Sequence, residues 1–173
     1  MEDEVKRIRT PISAEAAAEL KVGDRILISG RIYCGRDAVL PKVLKAIDEG
    51  TVYDLGIEPE GAVIFHTAVS PAGVGPTSSN KLEIESSIEP LSKAGVKLHL
   101  GKGALKKETV EALDRYGAVY AVIPPVTALL GAKTKSQRLL AFPELGMEAF
   151  YELEVEDFPA IIGAAQGCSI YDK

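Results

Sequence analysis

The sequence predicts a single α/β domain over residues 1–173, and three observations carry that prediction. Short, nearly continuous apolar runs recur: "GAVIFHTAV" at 61–69, "GVKLHL" at 95–100 and "AVYAVIP" at 118–124. Such runs are the pattern of strands buried on both faces. Helical periodicity fills the intervals between them, and strands alternating with helices define the α/β class. Finally, 173 residues with 46% hydrophobic and 26% charged side chains suit one folded domain with a real core.

Each element has a local reason. Residues 13–20, "SAEAAAEL", read as a short helix, with Ser13 as its cap and Glu15 in the first turn, where negative charge suits the helix dipole. "KVGDRILISGRIYC" supplies a Gly-Asp turn and two β-rich runs, 25–29 and 31–34, hinged at Gly30. A helical pattern runs through "AVLPKVLKAIDEG". Pro41 falls near its first turn, where a missing N–H is tolerated, and Gly50 lies just past its end. The strand at 61–69 leads to "GVGPTSSNK" (73–81), read as a loop of small and polar residues. A helix follows over about 81–94, then the strand at 95–100. "KKETVEALDRYG" (106–117) is an amphipathic helix with a glycine stop, and 118–124 is a strand. "MEAFYELEVEDFPAIIGAA" alternates and then runs apolar, so it reads as strands. The clustering of strands early and late argues against a simple doubly wound sheet. No repeat or linker divides the chain.

Composition excludes several functions. A formal charge of −5 gives no overall attraction for nucleic acid or anionic lipid, so neither is an expected partner. No apolar run approaches the length of a membrane span. The N-terminal "MEDEVKRIRT" lacks the apolar core of a signal peptide, and the expected location is the cytoplasm. Two cysteines, Cys34 and Cys168, provide neither a disulfide framework nor a four-cysteine metal site, and are read as free thiols. The two histidines, His66 and His99, lie in strand-like runs and are read as packed side chains.

The bare loops are the candidate functional segments. In α/β folds, ligands bind at the loops that follow strand C-termini. Small residues expose backbone N–H groups that can cradle an anion. Thr77, Ser78 and Ser79 add hydroxyls, while Lys81, Lys102 in "HLGKGAL" and Arg36 in "CGRDA" add positive charge. Three cations on three such loops would suit a small dianion such as a dicarboxylate. Neither glycine-rich segment is a Walker A motif, because the GK[ST] spacing is absent. The bland alternative is that the glycines serve turns and the lysines are solvated.

Four segments stand in a recognisable order: "LKVGDRILISGRIYCGRDA", "GPTSS", "VKLHLGKGALKKETVEALDRYGAVY" and "ELGMEAFYELEVEDFPAII". Over about residues 9–165 the chain resembles the β subunit, or C-terminal domain, of class I iron–sulfur fumarate hydratases and the related L-tartrate dehydratases. The resemblance implies a swivelling β/β/α fold with mixed sheets. It implies reversible hydration of fumarate to malate, or dehydration of tartrate or another hydroxy acid. It further implies a partner α subunit whose three cysteines hold a 4Fe–4S cluster, with the active site between the two chains in a hetero-oligomer. A homodimer of this chain alone and a non-catalytic, anion-binding regulatory subunit are the alternatives. Matched motif to motif, Arg36, Lys81 and Lys102 would hold substrate carboxylates. Thr77 would be the catalytic base, and Gly75 and Ser78 would complete the cradle.

The chain departs from the family pattern in four places. The family's GRDAAHKR is "GRDAVLPK" here, so a histidine proposed as an acid/base group falls at Leu40. An arginine after the GPT motif falls at Lys81, which keeps charge but loses the bidentate fork. "FHTAVSP" stands in place of HAGP, and "PPVTALLGA" follows the "GAVY" strand where the family has a glycine/alanine-rich loop. The departures bear on substrate and activity more than on fold.

Overall fold

A computed structural model of the chain describes residues 5–35, 39–70, 73–77, 81–101, 105–123 and 134–169. Its centre is a row of parallel strands: β2 (Arg25–Cys34), β3 (Val63–Phe65), β6 (Leu98–Gly101) and β7 (Val119–Val122), paired in that order. The long β9 (Phe150–Ala165) runs antiparallel to both β7 and β2, so the pairing β2–β3–β6–β7–β9–β2 closes on itself. β1 (Val5–Arg9) adds in parallel to β2, while β8 (Thr134–Ala141) and β10 (Cys168–Ser169) add antiparallel to β9. A separate hairpin joins β4 (Thr67–Ser70) to β5 (Gly73–Thr77). The molecule is therefore a single α/β domain with a mixed sheet, as the sequence predicts.

Alternation along the strands divides the core. Ile26, Ile28, Ile32 and Cys34 of β2 point to one side, with Val63 and Phe65, Leu98 and Leu100, Val119 and Ala121, and Leu153, Val155, Phe158 and Ile162. This cluster fills the space that the closed pairing encloses. The opposite faces carry Tyr33, Ile64 and Tyr120, which meet helices. Each large apolar side chain removed from water contributes about 1.5–3 kcal/mol, so these layers supply the bulk of the driving force.

The helices dock by their apolar stripes. α2 (Leu40–Glu49) buries Leu40, Val43 and Ala46 against Tyr33, Ile64 and Phe150. Pro41 sits in its first turn, and Gly50 ends it in the left-handed conformation at φ 77°. α4 (Lys107–Arg115) buries Val110 and Leu113 against Ile88 of α3 (Lys81–Lys93). The short α1 (Ala14–Ala18) is capped by Ser13, whose Oγ accepts from Ala16 N–H at 3.1 Å.

Several expectations change. The hinge at Gly30 does not split β2. The strand continues with an irregular register between Ile28 and Gly30; Gly30 has φ 113° and a Cβ there would lie 2.5 Å from Thr10 Oγ1, so backbone and packing both require glycine. The apolar run at 61–69 breaks at His66 into β3 and β4. Residues 73–77 are not a loop: they pair with β4, Thr77 opposite Thr67 and Gly73 opposite Ser70. Strand β1, "VKRIR", and strand β8, "TKSQRLLA", have no counterpart in the sequence reading.

Candidate functional site

Four strands end side by side. Gly35 N–H donates to Phe65 O at 3.1 Å, His66 N–H to Leu100 O at 3.0 Å, and Ile123 N–H to Gly101 O at 3.1 Å. These bonds extend the parallel ladder one residue past each strand, so the chain leaves the sheet at Gly35, His66, Gly101 and Ile123 along one edge. The segments carrying the candidate residues begin there. Arg36, Ser78 and Lys102 lie outside the described residues. Gly75 and Thr77 belong to β5, whose partner β4 starts directly after His66, and Lys81 is the first residue of α3.

The two edge glycines have internal reasons to be bare. A Cβ on Gly35 would lie 2.7 Å from Val39 Cγ1 and 3.0 Å from Phe150 Cδ1. One on Gly101 would lie 3.2 Å from Tyr120 Oη. Close packing against the helix-side layer therefore accounts for the glycine opening each segment, whatever the segment binds. Leu40, where the resemblance would place a family histidine, is fully buried in that same layer.

The sequence reading treated His66 and His99 as separate packed residues, and the structure joins them. Ile64 is the registered partner of His99, and His66, the residue that follows β3, continues the face that carries Ile64. Both imidazoles thus point toward the helices. His66 Nε2 lies 3.1 Å from His99 Nδ1, the rings stack at 5.3 Å between centroids, and Ser92 Oγ of α3 lies 2.9 Å from His99 Nε2. Both histidines are fully buried. Burial lowers the His66 pKa to about 4, and burial, followed by the neighbouring His66, drives His99 well below the ordinary range. The pair is neutral at physiological pH.

This pair makes stability depend on pH. An unfolded histidine titrates near about 6.5, whereas native His66 does so near 4. Between those values the unfolded chain binds a proton that the native chain refuses. Stability is therefore full above the unfolded pKa and falls as pH drops toward the native one. His66 alone is expected to cost about 2–3 kcal/mol between pH 6.5 and 4.5, with His99 adding in the same direction. Urea unfolding across that range checks this, and a flat profile contradicts it.

Cysteine chemistry at the edge is silent. Cys34 is fully buried, and burial raises its thiol well above the usual pKa, so it stays protonated and inert. Cys168 is exposed and free. Among the described residues no group of three or more His, Cys, Asp or Glu side chains is placed to hold a metal ion. Two cysteines in the whole chain cannot ligate a four-iron cluster. No helix among the described residues is long and apolar enough to cross a membrane.

The chain is an α/β domain whose parallel strands end side by side on one edge, the place where α/β sheets carry their ligand sites. The motifs select the family. The family model for the fumarase C-terminus matches residues 2–173, and the chain belongs to that family. It is 31% identical over 153 residues to the anaerobic class I fumarate hydratase of Escherichia coli K12, covering 84% of this chain and 28% of that protein. It is 29% identical over 164 residues to fumarate hydratase 2 of Leishmania major, covering 90% of this chain and 29% of that protein. Against the L(+)-tartrate dehydratase subunit beta of Escherichia coli K12 it is 29% identical over 168 residues, covering 91% of this chain and 81% of the relative. The chain thus spans under a third of the fumarate hydratases it matches and most of the tartrate dehydratase subunit. These relatives are named as hydro-lyases.

Proposed function

We propose that the chain is the β subunit of an iron–sulfur-dependent hydro-lyase that reversibly hydrates fumarate to malate. In this reading it supplies the substrate-carboxylate pocket to an α subunit that holds a 4Fe–4S cluster, which polarises the substrate hydroxyl. The observation that carries the reading is the alignment of strand ends at Gly35, His66 and Gly101. Neighbouring strands are about 4.8 Å apart, so the β2 and β6 ends stand roughly 10 Å apart. Arg36 and Lys102 each follow such an end by one residue in the sequence, and the reading assigns both to one small anion.

The roles follow from chemistry. Arg36 suits a carboxylate held bidentately, and Lys81 and Lys102 act as point charges. Thr77 is the candidate base next to the carbon that exchanges a proton. Gly75 and Ser78 lend the backbone approach and a hydroxyl. With two cysteines in the chain, this reading assigns the cluster to the partner, in a hetero-oligomer.

A second reading, a hydro-lyase subunit for tartrate or another hydroxy acid, is supported by the 29% identity to an L(+)-tartrate dehydratase subunit beta, close to the 31% identity to a class I fumarate hydratase. Co-expression with a cluster-bearing α chain, followed by assay on L-malate, fumarate and L-tartrate, decides between them. The first reading expects kcat/KM on malate and fumarate to exceed that on tartrate by at least about ten-fold, equivalent to 1.4 kcal/mol of transition-state discrimination. The reverse order supports the second, and no turnover on any of them leaves the anion-binding regulatory alternative.

A further inference from the structure

Ser92, His99 and His66 form a buried row. It runs from the last turn of α3, across β6, to the residue that follows β3. Ser92 is 2% exposed and both histidines are fully enclosed. The row ends at His66 Nδ1, which among the described residues is buried without a hydrogen-bond partner.

Counting protons sets the direction of the row. A neutral imidazole has one N–H and one acceptor nitrogen, and a serine hydroxyl has one hydrogen to give. The partner of the Ser92 hydroxyl is His99 Nε2. If Ser92 donates there, His99 keeps its proton on Nδ1 and donates to His66 Nε2. His66 then carries its own proton on Nδ1. The opposite direction leaves two groups unmatched, the hydroxyl hydrogen and the Nδ1 lone pair, where this one leaves a single N–H. Burying a polar group without a partner is costly, and such a group calls for something to complete it.

His66 stands between the Gly35 and Gly101 strand ends, and its successor Thr67 pairs with Thr77. We infer that His66 is a further substrate-binding residue of this edge, its Nδ1–H donating to a carboxylate oxygen of the bound hydroxy acid, with Ser92 and His99 as positioning residues that fix its tautomer. This rests on the strand-end site proposed above. A neutral donor held out of water suits an anionic acceptor, because hydrogen bonds to ionised groups are the stronger ones. It also leaves proton exchange to other groups, since burial keeps both rings uncharged.

The test is nitrogen-15 NMR of the uniformly labelled chain, assembled with its cluster-bearing α partner and titrated with L-malate at pH 7.5. Both imidazoles are expected to be protonated on Nδ1, and malate is expected to shift the His66 Nδ1 resonance. Ser92→Ala, two hydrogen bonds away, should return His66 to a mixture of tautomers and weaken malate binding by about ten-fold, while Ser92→Thr should restore both. A change in packing alone would leave the tautomer untouched. Protonation of His66 on Nε2 overturns the inference. So does a titration in which malate shifts the amides of Gly35 and Gly101 but not His66, an outcome that leaves the strand-end site standing. If malate moves neither glycine nor His66, the strand-end site itself fails and the inference falls with it.

Discussion

Thr77→Val in the assembled enzyme is expected to lower turnover by about 100-fold or more, the size of effect associated with a lost acid/base group. The substitution is close to isosteric and removes one hydroxyl. Thr77 is the last residue of β5 and pairs with Thr67 across the hairpin. Valine favours strand conformation at least as well as threonine, so the pairing should persist. The melting temperature should therefore stay within about 2 °C, as for a substitution that changes stability by well under 1 kcal/mol. A hydroxyl with a merely local role in the hairpin gives the opposite pattern, a lower melting temperature with undiminished turnover of the folded fraction. Measuring both quantities on one preparation separates the two. A stable, fully active variant would remove Thr77 from the chemistry.

Phe65→Ala should have the largest effect on stability. Phe65 is fully buried, packs edge-on against Phe158 at 5.7 Å, and sits among Leu98, Leu100 and Ile32 within the closed pairing of strands. Removing a buried phenyl ring loses its transfer free energy and leaves a cavity that neighbouring strands cannot collapse to fill, at about 3–5 kcal/mol. For a chain of this size that lowers the melting temperature by roughly 6–20 °C. Because Phe65 immediately precedes His66 and accepts from Gly35 N–H, the same cavity should loosen the strand-end edge and weaken ligand binding in the folded fraction. A loss below about 1 kcal/mol would show that the core repacks, contrary to a rigid closed sheet.

What the sequence made legible was local. α2 and α4 announce themselves by an apolar stripe and a glycine stop, and Gly50 takes the left-handed conformation that such a stop requires. β3, β6 and β7 are apolar runs because they are buried on both faces. What escaped depended on pairing. "VKRIR" holds three cations among five residues with no regular alternation, and it becomes β1 because β2 offers it a partner over five registered residues. "GVGPT" has the composition of a loop, and its hairpin with β4 overrides that weak propensity.

The site divides in the same way. Its motifs could be matched by eye, but the reason for two of its glycines could not. Gly35 and Gly101 are bare because Val39, Phe150 and Tyr120 press on them, a fact that only tertiary packing supplies. The histidine row escaped for a related reason. His66 and His99 are 33 residues apart, and their contact follows from the register of β3 on β6, which no local pattern encodes.

The central claim, that this chain completes a hydro-lyase site whose metal cluster belongs to a partner, is tested most directly by mixing. The purified chain and an anaerobically reconstituted, cluster-bearing α chain should each be inactive on malate alone. Turnover should appear on mixing and saturate at a one-to-one ratio. Full turnover by the α chain without this one, or stoichiometric iron–sulfur absorbance in this chain purified by itself, would contradict the account.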